Sequence, residues 1–204
     1  MIKNLPPQPK EYSIRQFVTD YVDPSFKPTD ELPYPTRIRE AKADTQITRL
    51  NQIEDHAYYL ISGYVMIMTL TEKGEMRIID FFSPGMFFSS YYSLRHRLPS
   101  EVIVVTLSEC KFEVIEYKDL KSAYESKSWL AERMGRVAAE FYYDRKNKRE
   151  VGFLKLDAKK RYEIFINENP GLAKVLSIEL IARYLGIDPN SLSRIRNEAK
   201  PKKS

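Results

Sequence analysis

The chain is poor in the residues that most site chemistry requires. Its 204 residues include one cysteine, Cys110, and two histidines, His56 and His96. A single thiol cannot close an intramolecular disulfide, and it cannot supply a thiolate zinc cage or a four-cysteine iron–sulfur cluster. Two imidazoles so far apart in sequence do not form a ligand pair, so no metal, haem or other cofactor is expected. Seven glycines leave little room for a glycine-rich phosphate cradle. No nucleophile–base constellation is found, and an enzyme is not expected. No stretch approaches the roughly 18 consecutive apolar residues of a membrane span. The opening residues, MIKNLPPQPKEY, carry no apolar signal core. The expectation is a cytoplasmic protein with no membrane partner.

Charge is present but unevenly distributed. Of the 33 basic and 28 acidic residues, eleven basic and six acidic ones fall between Lys155 and Ser204. The first 154 residues are therefore neutral overall, and the net charge of +5 sits in the last fifty. A basic segment joined to a neutral one points to a polyanionic partner for the C-terminal part. A solvated lysine-rich tail is the alternative, and charge by itself does not separate the two.

The hydrophobic pattern divides the chain into 1–121, 122–150 and 151–204. Ile14, Phe17, Val18 and Tyr21 are spaced as one face of a helix over 11–22, which Asp23-Pro24 ends. Short apolar and β-branched blocks follow at Tyr58–Ile61, Tyr64–Leu70, Met76–Phe82, Val102–Leu107 and Phe112–Tyr117. Turn residues separate them, which predicts an antiparallel sandwich or barrel. The aromatic run Phe81, Phe82, Phe87, Phe88, Tyr91 and Tyr92 either fills its core or lines an apolar pocket. Helical periodicity then covers 122–148, with Ser122 and Glu125 as a capping box. Leu130, Met134, Val137 and Phe141 are spaced 4, 3 and 4, as in the seam of a coiled coil. Packing of that face on the sheet domain is the other reading.

The last part reads as three helices, and its final two carry the most specific pattern. Asp157 caps the first. Ser177 caps a short helix with Ile178, Ile181 and Leu185 inward, and Ala182 is small where helices must cross closely. Gly186 supplies a turn at positive φ. Asp188 is an N-cap acceptor and Pro189 takes the first helical position. Leu192 and Ile195 anchor this second helix. These features together predict a helix-turn-helix. The outer face of its second helix is Asn190, Ser191, Ser193, Arg194 and Asn197. Arginine can bond guanine O6 and N7 in a bidentate manner, asparagine can do the same to adenine, and serine serves either. The predicted partner is double-stranded DNA.

The phrases YYLISGYVMI (58–67), SPGMFF (83–88), TLSECKFEVI (106–115), AKKRYEIFI (158–166) and LIARYLGIDPNSLSRIR (180–196) resemble the cyclic AMP receptor protein / fumarate-nitrate regulator (CRP/FNR) superfamily of transcription regulators. The resemblance covers roughly residues 40–200. It implies an α+β chain: an N-terminal cyclic-nucleotide-binding-like β-roll (a double-stranded jelly roll), a long dimerisation helix, and a C-terminal winged helix-turn-helix. It implies a homodimer, with Leu130, Met134, Val137 and Phe141 as the dimer interface. It places base reading on Asn190, Ser193 and Arg194, with Asn190 where the family usually has Glu. Nucleotide-binding members hold the ribose with a Gly-Glu pair and the cyclic phosphate with an Arg-Ser/Thr-Ala phrase. This chain has Ser89-Ser90 and Ser100-Glu101-Val102 there, a degenerate nucleotide pocket in which Glu101 would repel an anion. The reading is a sequence-specific DNA-binding regulator that does not respond to cyclic AMP. An unidentified small-molecule effector and a contact with RNA polymerase stay open. The alternative is a β-roll module binding small molecules or proteins without reading DNA sequence.

Overall fold

The computed structural model describes residues 12–198. Eight strands run β1 Arg37–Ala41, β2 Gln46–Thr48, β3 His56–Ser62, β4 Val65–Leu70, β5 Met76–Phe82, β6 Phe87–Phe88, β7 Ile103–Thr106 and β8 Cys110–Glu116. They form two four-stranded antiparallel sheets, ordered β1-β8-β3-β6 and β2-β7-β4-β5. This is the expected roll. Strands β3, β4, β5, β7 and β8 coincide with the predicted apolar blocks. The short strands β1, β2 and β6 lack such blocks, because pairing with β8, β7 and β3 rather than local pattern makes them strands.

The two sheets face each other across Tyr58, Leu60, Val65, Phe82, Phe88 and Phe112. Tyr58 stacks on Phe88 at 5.0 Å and meets Phe112 edge-on at 5.6 Å. Both outer faces are also covered, which is why β3 is buried continuously from Tyr58 to Ile61 instead of alternating. On one side Tyr59 and Ile115 lie under the helix α1 (Ile14–Phe17), the π-helical turn Val18–Val22 that continues it, and a long helix described below. On the other side Met66, Ile78 and Phe81 lie under the C-terminal helices. The aromatic run is thus shared out. Phe82 and Phe88 fill the roll, while Phe81 and Phe87 pack into the two outer clusters. Tyr91 and Tyr92 stand exposed on α2 (Tyr91–His96).

The N-terminal helix is pinned by one buried carboxylate. Glu113 of β8 accepts the Ile14 backbone N–H at 2.8 Å and the Thr36 hydroxyl at 3.0 Å. A negative charge at a helix start is favoured by the exposed N–H groups there.

The helical stretch after the roll differs from expectation. It is two helices, α3 Tyr117–Glu125 and α4 Trp129–Lys155. Ser122 lies inside α3 and caps nothing. The break comes at Lys127, at φ 55°, and Ser128 caps α4 by accepting the Ala131 N–H. Gly135 lets the two helices meet, since a Cβ there would stand 2.4 Å from the Tyr124 hydroxyl. No interruption occurs at Gly152; α4 continues to Lys155.

Within one chain, the four residues of the predicted seam meet the roll side, as in the other reading of that face. Met134 and Val137 are buried inside the protomer, and Leu130 and Phe141 pack against the same cluster. The Phe141 ring sits 5.0 Å from Tyr21. This face covers the roll and the N-terminal helix because Tyr59, Ile115 and Phe17 would otherwise be left in water. The outward side of α4 instead carries Trp129, Tyr143 and Leu154, the last 88% exposed.

This assignment has a direct test. Met134→Ala should lower the stability of the folded chain by about 2–5 kcal/mol, as for other buried methionines. Tyr143→Ala should change it by no more than about 0.5 kcal/mol. Urea midpoints of the two variants, measured at low protein concentration, would show whether the order is reversed.

Candidate nucleic-acid interface

Four helices follow α4: α5 Ala158–Glu168, α6 Leu172–Val175, α7 Ile178–Leu185 and α8 Pro189–Glu198. Each expected cap is in place. Asp157 accepts the Lys160 N–H at 2.8 Å, and Ser177 accepts that of Leu180 at 3.2 Å. Asp188 accepts the N–H groups of Asn190 and Ser191, both at 3.0 Å. Gly186 ends α7 at φ 61° and ψ 41°. Ile181, Ala182, Leu185, Ile187 and Leu192 are buried between α7, α8 and their neighbours. Small α6 was not foreseen; it is a single turn between Gly171 and Leu176. Residues 156–198 are occupied by helices and their connections, so among the described residues there is no wing of paired strands. Lys200, Lys202 and Lys203 lie outside the described residues.

The turn is held by side chains that sequence reasoning did not single out. Arg161 of α5 donates to Leu185 O at 3.1 Å and Gly186 O at 3.5 Å, and Arg149 of α4 donates to Tyr184 O at 3.1 Å. Two guanidinium groups thereby satisfy the carbonyl end of α7, where its dipole favours positive charge. Phe153 lies between them, with ring contacts of 5.3 Å to Arg149 and 5.4 Å to Arg161. The same ring would be 3.0 Å from a Cβ on Gly186. The available signal was spacing: Phe141, Arg145, Arg149 and Phe153 follow one another at intervals of four.

The expected reading face points outward. Asn190, Arg194 and Asn197 are exposed, and Ser191 and Ser193 are half-buried. Among the described residues, the side chains of Asn190, Arg194 and Asn197 form no hydrogen bond or ion pair. The Ser193 hydroxyl donates to Pro189 O at 2.9 Å, leaving its lone pairs free. This face therefore presents amide and guanidinium groups with no internal obligation, and a hydroxyl that can still accept.

The pocket side chains are committed elsewhere. Ser100 is buried; its hydroxyl donates to Val102 O and shares a hydrogen bond with the Ser90 hydroxyl, each at 2.8 Å. Ser89 donates to His56 O at 2.9 Å. Glu101 is exposed. Arg97 pairs with Asp55 and lies 4.2 Å over the Tyr117 ring. Cys110 is buried; burial pushes its thiol pKa up, and the thiol donates to Tyr64 O at 3.3 Å. No cluster of three or more potential metal ligands occurs among the described residues. No described helix is long and apolar enough to cross a membrane.

The cyclic nucleotide-binding domain family matches over residues 38–127, the span from β1 to the end of α3. Residues 38–127 are thus similar to that family. Whole-chain likeness extends to the C-terminal helices. The c-di-GMP responsive global regulator CLP of Xanthomonas campestris is similar at 20% identity and a TM-score of 0.61, covering 80% of this chain and 86% of that one. FixK2 of Bradyrhizobium japonicum is similar at 18% identity and a TM-score of 0.67, covering 80% and 84%. A CooA variant from Carboxydothermus hydrogenoformans is similar at 14% identity and 0.59, covering 80% and 75%. These neighbours are CRP/FNR regulators, and this chain shares their fold. No curated protein matches it in sequence. In this chain, then, the roll is followed by the α7–turn–α8 pair, and the Ser90 and Ser100 hydroxyls bond to each other.

Gly186→Ala should destabilise the chain by about 1–2 kcal/mol through the left-handed backbone alone, and displacement of Phe153 should add to that. An unchanged thermal midpoint would show that the α7–α8 turn is not held as described.

Proposed function

We propose that the chain is a homodimeric, sequence-specific DNA-binding regulator of the CRP/FNR type that does not take cyclic AMP. The observation that carries this reading is the outer face of α8. Asn190, Arg194 and Asn197 stand exposed and unpaired on a helix whose cap, turn and inner packing are complete, in the part of the chain that holds all the net positive charge. A structural surface helix has no need of side chains suited to base edges. Lys and Arg nearby attract phosphates and set register, and the α8 face reads sequence.

Dimerisation is assigned to the outward side of α4, through Trp129, Tyr143 and Leu154, because its inward side is filled. Two copies would then present two α8 helices to half-sites about one helical turn apart, roughly 34–36 Å. The division of the chain proposed with it is 1–121 as a sensor-like part, 122–150 as the segment that pairs protomers, and 151–204 as the DNA-reading part. Support for the missing nucleotide response is the Ser90–Ser100 hydrogen bond at 2.8 Å, which closes the phosphate side of the pocket with neutral groups. Glu101 adds a negative charge beside it. No catalytic step is assigned to any residue.

Selection from a random duplex pool should recover a palindromic site. Recovery of single half-sites would contradict the dimer, and absence of enrichment would contradict sequence reading. Arg194→Gln should cost about 1–3 kcal/mol at the selected site and leave random duplex binding nearly unchanged. Equal loss on both would assign Arg194 to phosphates.

A ligand present at a hundred times its Kd adds about 2.7 kcal/mol to stability. Millimolar cyclic AMP is expected to leave the thermal midpoint where it was, and a rise of several degrees in calorimetry would refute the closed pocket.

A further inference from the structure

At the joint between the β-roll and the C-terminal helices of one chain, hydrogen bonds converge on a single carboxylate oxygen. Asp80, near the end of β5, is buried, and its Oδ1 accepts three hydrogen bonds. They come from Arg145 Nη2 of α4 at 2.7 Å, from the Tyr184 hydroxyl of α7 at 2.8 Å, and from the Phe81 N–H at 2.8 Å. Arg145 reaches further along β5 to Phe81 O and donates to the Met86 sulfur at 2.9 Å. One turn on, Arg149 donates to Ile79 O and Tyr184 O, with its guanidinium 4.1 Å over the Tyr184 ring. Phe81 and Phe165 close the rest of the joint on the same ring, at 4.9 and 5.7 Å.

The Arg145 and Tyr184 donors of this joint keep their protons. Burial opposes the Arg145 charge, but Asp80 and Tyr184 outweigh it and raise its pKa. Burial first, then Asp80, pushes the Tyr184 hydroxyl up to about 12, so it remains a donor at neutral pH. An apolar contact alone would let α7 slide over β5 at little cost, because hydrophobic attraction has no direction. Three donors meeting one oxygen allow one register, since any shift leaves a buried charge or hydroxyl without a partner. Tyr184 lies two residues before Gly186. The register of α7 is therefore transmitted through the turn to α8.

We propose that Asp80, Arg145 and Tyr184 are positioning residues that fix the angle at which the Asn190–Asn197 face leaves the protomer, and with it the half-site spacing the dimer accepts. The clasp is complete within one chain and uses no ligand, so the reading helix is held in its orientation without an effector. This inference rests on the reading of α8 as the DNA-reading element, but its first measurement does not involve DNA.

Tyr184→Phe removes one oxygen and keeps the ring contacts; Asp80→Asn removes the charge. In each, and in the otherwise unaltered chain, spin labels on Lys73→Cys of the β4–β5 turn and Glu179→Cys of α7 report the distance between the two parts. Cys110 is buried and is left in place, and the labelled chain is diluted in unlabelled chain so that distances are within one protomer. The unaltered clasp should give one narrow distance, and both variants a broadened or second one. Arg145→Lys, which keeps the charge but loses the fork, serves if Asp80→Asn does not fold. In duplex selection the unaltered chain should accept one half-site spacing. Tyr184→Phe should accept at least two, with several-fold weaker binding to the original spacing and the same bases preferred within each half-site. A purely stabilising role would lower the thermal midpoint and leave distance and spacing unchanged, which would overturn the proposal. Broadened distances in a protein that enriches no duplex would overturn the DNA reading while sustaining the clasp as a joint between the two parts.

Discussion

One side of α4 has to cover two unlike surfaces along a single line, and the rest of the structure follows from how it does so. Its first half lies on an outer face of the roll, where Tyr59 and Ile115 must be kept from water, so Met134, Val137 and Phe141 are apolar. Its second half lies over the joint with the C-terminal helices. There the strand edge offers carbonyls and a carboxylate, so the same line continues as Arg145 and Arg149. Had the apolar side simply continued, Asp80 would be a buried charge with no cation, which is costly. Had the cations begun earlier, the N-terminal helix would have no cluster to join. The change from methyl groups to guanidinium groups within two turns fixes where the roll ends and where the C-terminal helices begin.

The helix-turn-helix was legible in the sequence because its determinants are local. A cap is a side chain and an N–H two or three residues on, and Asp157, Ser177 and Asp188 each bond as their positions require. A positive-φ turn needs a glycine at one place, and Gly186 is there. The longer strands were legible for a related reason: apolar blocks bounded by turn residues carry their own periodicity. The family likeness then organised these pieces into a roll followed by reading helices. It could not say which of its usual elements this chain carries, and the strand-built wing is missing among the described residues.

What could not be read depends on partners distant in sequence. The 4, 3, 4 spacing of Leu130, Met134, Val137 and Phe141 says that one side of a helix is covered, but not by what. Tyr21, some 120 residues earlier, turns out to be the neighbour of Phe141. The apolar spacing stops at Phe141, because the periodicity that continues past it is carried by arginines rather than apolar residues. Asp80, inside a strand reading IIDFF, gave no hint that Arg145 and Tyr184 would converge on it. Short β1, β2 and β6 owe their strand character to the strands they pair with, and a pattern search along one chain does not see pairing.

The unencumbered outer side chains of α8 have a consequence for how such a molecule can change over generations. Asn190, Arg194 and Asn197 take no part in holding the chain together, whereas Leu192 beside them is buried and fixed. Replacing the first three would leave folding intact while altering what the helix prefers to touch. If α8 reads DNA as proposed, duplicated copies of this chain can diverge in target through a few substitutions, without first acquiring compensating ones in the scaffold.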